Sequence, residues 1–408
     1  MEVFVIISII TILGLAGYGF QIWSVRAAIK DKAVYKGTGP EEDKTDFYKT
    51  MPAISVLKPL KGLDGNLFDN LESICNQDYP EYEIIFSLQD YNDPAFKVAE
   101  KIKGKYPEKD ITLLVERCNA GLNPKVNNLI PAYRIAGYEY ILISDSNVMV
   151  GKNYLREIVK PFKDPETGLV SNLIKGVGGY TLGSVFENLH LNSFIIGSVC
   201  FLDRFLKMPC VVGKSMLMRK SDFEAIGGFN AVKNVLAEDY IIGKKMHMMG
   251  KKVILSNYII RNVNEYWGFR RFLNRHIRWG KLRWQIGGVK YLSELFNNPV
   301  FLSMFPVILE PSKLTIGFAA LVSSLKVIGD IYIGRKVRAD MNVLLFFLAP
   351  LKDLIIGIAW FVPLFSNTVV WRGNRYIIGS DSQLSTCPES GMFSWRYRLL
   401  DTIRTRLA

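Results

Sequence analysis

The chain has 408 residues, 49% hydrophobic and 22% charged, with a formal net charge of +13. That length allows one soluble domain plus membrane segments, and the basic residues are dispersed beside apolar stretches. This favours lipid headgroups and phosphate-bearing substrates over nucleic acid. Cys75, Cys118, Cys200, Cys210 and Cys387 lack CxxC or zinc-type spacing, which argues for reduced, cytosol-facing thiols. His190, His247 and His276 are too few and scattered for a His-based metal site.

Residues 1–25 are almost wholly apolar and long enough to cross a bilayer. Arg26, Lys30, Lys32 and Lys36 follow, so the segment reads as a signal anchor with the next domain in the cytosol. Residues 26–51 form a basic linker. Between 52 and 290, β-branched runs at 54–57, 83–87, 111–115 and 140–143 alternate with helical patterns such as 66–75 and 94–103. Such alternation predicts an α/β fold, with parallel strands and crossover helices in a Rossmann-like half. Beyond Asp145 the pattern is less regular. Residues 291–371 hold broken apolar segments, where Lys352-Asp353 predicts either a paired buried charge or a re-entrant turn. Residues 372–408 read as a basic cytosolic tail, giving a multi-pass membrane protein.

Three acidic stations and a basic segment carry the chemistry. In Gln89-Asp90-Tyr91-Asn92-Asp93-Pro94, Asp90 and Asp93 follow a strand and suit the base or ribose of a nucleotide. Asp93 equally suits a cap for a Pro-started helix. In Gly121-Leu122-Asn123-Pro124-Lys125-Val126-Asn127-Asn128, a helix start brings Asn123 and Lys125 to a diphosphate or to sugar hydroxyls. Asp145 ends an intensely apolar strand, where a lone carboxylate is costly. Mg²⁺ or Mn²⁺ bridging a diphosphate is its natural partner, with Asn147 a weaker second ligand. Asp239 suits the base that deprotonates an acceptor hydroxyl, with Glu238 beside it, although either acid also favours a helix start. Arg275 and Arg278 share a helix face next to Trp279 and can stabilise a departing diphosphate; Arg and Trp are also headgroup-level anchors. The order predicts a nucleotide-sugar transferase.

Together these stations closely resemble the ceramide glucosyltransferase family, a membrane branch of the inverting GT-A glycosyltransferases. The similarity runs from Leu57-Lys58-Pro59-Leu60-Lys61-Gly62 through Lys281-Leu282-Arg283 and resumes at Trp371-Arg372-Gly373-Asn374-Arg375-Tyr376. The family's three aspartate motifs fall on Asp93, Asp145 and Asp239, and its Arg-Trp motif on Arg275, Arg278 and Trp279. The family's third aspartate is the proton acceptor, which agrees with the choice of Asp239. The resemblance implies a GT-A cytosolic domain that transfers glucose from UDP-glucose to the primary hydroxyl of ceramide. It also implies a bacterial-type homologue, in a bacterial inner membrane rather than a Golgi membrane. Two departures stand out. No His-Pro matches the family's acceptor segment around Leu191-Asn192-Ser193-Phe194, and Asp-Ser-Asn replaces Asp-Ser-Gly. A bacterial branch that transfers N-acetylglucosamine to hopanoids is similar too, so hopanoid, diacylglycerol and UDP-N-acetylglucosamine remain alternatives. A non-catalytic scaffold is disfavoured because all three acidic stations are present.

Overall fold

The computed structural model describes residues 2–34, 51–371 and 374–387. At its centre, β1 (Ile54–Pro59) pairs in parallel with β2 (Tyr82–Leu88) on one side and β4 (Tyr140–Ser144) on the other. The strand β3 (Ile111–Val115) extends the parallel set beyond β2. All six residues of β1 are buried, as a strand covered on both faces requires. The crossovers are α2 (Leu67–Cys75), α3 (Ala95–Lys105) and α4 (Pro124–Ile135). This is the Rossmann-like half that the alternation predicted.

The other half of the sheet is mixed. It contains β5 (Val148–Met149), β6 (Thr167–Val177), β7 (Ser215–Arg219) and β8 (Lys252–Val263), and the full order is β3-β2-β1-β4-β7-β6-β8-β5. The strand β7 runs antiparallel to both β4 and β6, while β6 and β8 are parallel. Helix α5 (Tyr154–Val159) follows β5. Helices α6 (Leu182–His190) and α7 (Ile196–Phe205) are joined through a π turn at Leu191–Ile195. After β7 come α8 (Lys220–Ala225) and α9 (Glu238–Met248), and after β8 comes α10 (Phe269–Gly287).

Helix α1 (Glu2–Val34) runs nine residues past the expected end of the anchor, into the stretch taken as a linker. The later apolar helices are α11 (Pro299–Leu309), α12 (Lys313–Lys336), α13 (Ala349–Ala359) and α14 (Val362–Phe365). Among the described residues, Phe4–Ile29, Leu182–Phe205, Lys313–Lys336 and Val343–Phe365 are long and apolar enough to cross a membrane. The second of these was not expected. It lies mostly buried inside the protein, where Glu187, Asn188, His190 and Asn192 are all enclosed. On α1, Tyr18 and Val25 share a core with Leu173 of β6, Ile196 of α7 and Ile333 of α12, which ties the first helix to the α/β domain.

The charges inside the apolar helices are paired. Lys326 donates to both Asp330 oxygens at 2.6 Å, and the Tyr18 hydroxyl donates to Asp330 at 2.5 Å. Lys352 lies 2.7 Å from Asp353, so the paired buried charge is present. Residues 374–387, expected within a tail, instead complete a small antiparallel sheet of β9 (Thr368–Trp371), β10 (Asn374–Ile378) and β11 (Leu384–Thr386). It docks on the loop before α9, with the Leu236 N–H donating to Ser382 O at 2.9 Å and the Leu384 N–H to Asn234 O at 2.7 Å. The linker residues 35–50 and the tail residues 388–408 lie outside the described residues.

Candidate active site

The site forms where β1 and β4 end side by side. Asp145 follows the last residue of β4, and Lys58 on β1 is 1% exposed beneath it. The Lys58 ammonium donates to the Asp145 carbonyl at 2.8 Å and to Ser144 Oγ at 3.2 Å. Burial pulls Lys58 down to about 8.

Asn-Pro at 123–124 sets the entry to α4. Pro124 opens the helix, and Asn123 caps it by accepting the N–H groups of Lys125 and Val126 at 2.9 and 3.1 Å. The Asn123 amide also donates to Val235 O at 2.8 Å and to Glu238 at 3.2 Å. Lys125 is therefore held at the first helical turn, aimed at Asp145. Its ammonium reaches Asp145 Oδ1 at 2.9 Å, Glu238 Oε1 at 2.9 Å and the Gly213 carbonyl at 2.9 Å. A lysine has three protons to give, and all three are used. In the folded protein Lys125 and its neighbouring amides brace the site. Asn127 closes the 121–127 loop on Gly121, and Asn128 is bonded to Leu60 and Ser87.

The second oxygen of Asp145 is held by Lys214, at the start of β7, at 2.9 Å. Lys214 also donates to Asn147 Oδ1 at 2.8 Å. Burial would raise Asp145, but Lys125 and Lys214 outweigh it and hold the carboxyl well below the usual range. For Lys125, burial is likewise outweighed, by Asp145 and Glu238, and the ammonium is raised. For Lys214, burial is larger than the help from Asp145 and leaves it lowered.

Asp239 stands in the first turn of α9. Its Oδ1 accepts the Tyr240 N–H and its Oδ2 the Gly213 N–H, both at 2.8 Å. Gly213 is required for that approach, because a Cβ there would lie 2.4 Å from Oδ2. Burial first and Glu238 second raise Asp239 to about 6, against the pull of Lys125 and the two N–H donors. A carboxyl poised there is a usable base near neutral pH. Glu238 differs from its neighbour in pointing inward to Lys125 and Asn123.

The basic segment lies on α10. The Arg275 guanidinium is sandwiched between Trp267 and Trp279, at 5.0 and 4.2 Å from the ring centres, and lies 3.3 Å from the fully buried Glu187 of α6. His276 lies 3.1 Å from the other Glu187 oxygen. Arg278 instead lies over Trp371 of β9, at 5.9 Å, so the two arginines serve different neighbours.

The first acidic station stays apart from this cluster. Asp93 is buried and accepts the N–H groups of Gly62 at 2.8 Å and Ala95 at 3.0 Å, with Lys61 at 3.6 Å. Only the bond from the Ala95 N–H, at the start of α3, suits the helix-capping alternative; the Gly62 and Lys61 contacts reach another loop. Asp90 is exposed and accepts the Asn92 N–H at 2.8 Å. What the station does is pin the 60–65 loop, whose Asp64 accepts the Ser146 hydroxyl at 2.5 Å, between Asp145 and Asn147. Sequence reasoning passed over Lys58, Asp64, Glu187 and Lys214, which come from four different elements. Only Lys58 carried a signal, as a lysine inside a buried strand.

The acidic pattern at Asp145 and Asn147 implied a divalent cation, and the residues do not fit one as folded. Each Asp145 oxygen and the Asn147 amide oxygen is already taken by an ammonium. A divalent ion on Asp145 about 4 Å from a lysine meets repulsion of about 8 kcal/mol at an effective dielectric near 20, and there are two lysines. Among the described residues, no three His, Cys, Asp or Glu side chains gather to hold a metal ion.

The model of glycosyl transferase family 21 matches residues 6–384. Ceramide glucosyltransferase 3 of Caenorhabditis elegans is 27% identical over 350 residues, 82% of this chain and 74% of that protein. Ceramide glucosyltransferase 1 of the same organism is 31% identical over 240 residues, 57% of this chain and 50% of that protein. Among solved structures, a mannosyltransferase from Pyrobaculum calidifontis, in complex with GDP-Man and Mn²⁺, aligns with a TM-score of 0.48 and 16% identity. That alignment covers 87% of this chain and 99% of the mannosyltransferase. With a mixed α/β sheet, carboxylates at its strand ends and a family match over almost its whole length, the chain belongs to glycosyl transferase family 21 and is a glycosyltransferase.

Proposed function

We propose that the protein transfers glucose from UDP-glucose to the primary hydroxyl of ceramide, with inversion, on the cytosolic face of a membrane. The observation that carries this reading is Asp239, a raised carboxyl fixed by the Tyr240 and Gly213 N–H groups, with the Gly213 carbonyl in turn accepting from the Lys125 that pairs with Asp145. Asp239 takes the acceptor's proton as the acceptor oxygen attacks the anomeric carbon. The bond to UDP breaks on the opposite face, and its electrons leave with the diphosphate. Arg275, held between two indoles and backed by Glu187, supplies positive charge to that leaving group. Trp279 keeps the guanidinium in place, and Arg278 anchors α10 to the β9 sheet. Asp90 meets the uridine end of the donor, and Asp93 shapes the loop beside it.

The long apolar helices at Phe4–Ile29, Lys313–Lys336 and Val343–Phe365 support a lipid acceptor that enters from the bilayer. A purified-enzyme assay crossing UDP-glucose, UDP-galactose and UDP-N-acetylglucosamine with ceramide, diacylglycerol and hopanoid tests the reading. Glucosylceramide as the dominant product supports it. Transfer confined to another donor or lipid overturns it.

A further inference from the structure

We propose that Lys214 does the work of the divalent cation in this enzyme, so that a nucleoside diphosphate is bound and released without Mg²⁺ or Mn²⁺. The inference rests on the transferase reading above for the identity of the diphosphate. Of the two lysines on Asp145, Lys125 has spent all three protons inside the protein, and its side chain is 10% exposed. Lys214 has spent two, on Asp145 Oδ2 and Asn147 Oδ1, and its side chain is 19% exposed. Its third proton is the one cationic donor of the pair left for a ligand at the strand ends.

Asn147 explains why the arrangement holds. An amide oxygen orients the lysine without neutralising it, whereas a second carboxylate there would leave the pair negative and favour a metal. Asp145 then orients two ammonium groups, and its charge is shared between them. In the transfer step the acceptor oxygen bonds to the anomeric carbon as the C–O bond to the diphosphate breaks, and the diphosphate oxygen that keeps the electron pair is met by the free Lys214 N–H. The acceptor's proton goes to Asp239. With the Arg275 guanidinium beside them, these residues need no co-reactant.

The test uses the full-length enzyme in detergent micelles, with UDP as the probe. Calorimetry in EDTA compares wild type, Lys214→Met and Lys214→Arg, and paramagnetic resonance measures Mn²⁺ binding with and without UDP. The wild type is expected to bind UDP in EDTA within about twofold of its affinity in Mg²⁺. Lys214→Met is expected to weaken binding about 10- to 100-fold, the range for losing a hydrogen bond to a charged group, with partial recovery in Lys214→Arg. Loss of wild-type UDP binding in EDTA, stoichiometric Mn²⁺ uptake with UDP, or unchanged affinity in Lys214→Met would each overturn the proposal. If UDP binds in EDTA as expected and no lipid accepts sugar, the acceptor reading fails while the cation inference stands.

Discussion

Lys125→Met removes the side chain that ties Asp145 to Glu238. In the folded protein its ammonium lies 2.9 Å from each of Asp145 Oδ1, Glu238 Oε1 and Gly213 O, with the residue 9% exposed. Methionine fills much of the same volume, so the change is mainly electrostatic. Removing one partner of a buried ion pair typically costs about 3–5 kcal/mol, because the remaining charge is left uncompensated. Lys214 still covers one Asp145 oxygen, which places the variant towards the lower end. For a domain of this size each kcal/mol shifts Tm by roughly 2–4 °C, so a fall of roughly 6–12 °C is expected.

A second readout separates this from generic damage. Burial and Glu238 raise Asp239 while Lys125 lowers it, so without the lysine the acid limb of kcat/KM must move to higher pH. Stability changes in a matching way. Asp145 is held below its unfolded value, so its pairing stabilises the protein above the ordinary carboxylate range, and that contribution is lost as the pH falls through its folded value. The variant should therefore lose less stability on acidification than wild type. Scanning fluorimetry from pH 2 to 8, with a pH profile of transfer, measures both. A Tm within 2 °C of wild type together with an unmoved acid limb would refute the network argument.

Four further outcomes are expected. Wild-type kcat/KM should fall as pH drops through about 6, where Asp239 is half protonated, and not near the ordinary carboxylate value. Asp239→Asn should cost roughly 10²- to 10⁴-fold in kcat with UDP affinity kept; turnover within a few-fold of wild type would remove Asp239 as the base. Gly213→Ala places a Cβ 2.4 Å from Asp239 Oδ2, so single-turnover rates should fall while thermal stability drops by only about 1–3 kcal/mol. Glu187→Ala leaves Arg275 without its carboxylate and should cost about 3–5 kcal/mol of stability, with part restored in Glu187→Gln, as read by denaturant midpoints.

The parallel half of the sheet was legible because fully buried strands read as unbroken β-branched runs, as at 140–143. The mixed half was not, since β7 joins β4 from 71 residues away and no local period announces it. The buried helix at 182–205 escaped notice for a related reason. Its polar residues, including Glu187 and His190, interrupt the hydropathy of a span while serving a buried ion pair and ring contacts. At the site, Asp145, Asp239 and Lys125 were found by type and position along the chain. What each side chain does required partners from distant segments. Lys214 is 69 residues beyond Asp145 in sequence, yet it shares that carboxylate. The amides at 123–128 show how the fold also uses such chemistry for capping and loop closure, which type and spacing alone do not reveal.

The central claim is an inverting displacement with Asp239 as the base. Purified enzyme supplied with α-linked UDP-glucose and ceramide, followed by proton NMR of the product's anomeric coupling, tests it directly. A β-glucosylceramide that disappears in Asp239→Asn is the predicted result. An α-linked product, or a β-linked product formed at wild-type rate by Asp239→Asn, would contradict the account.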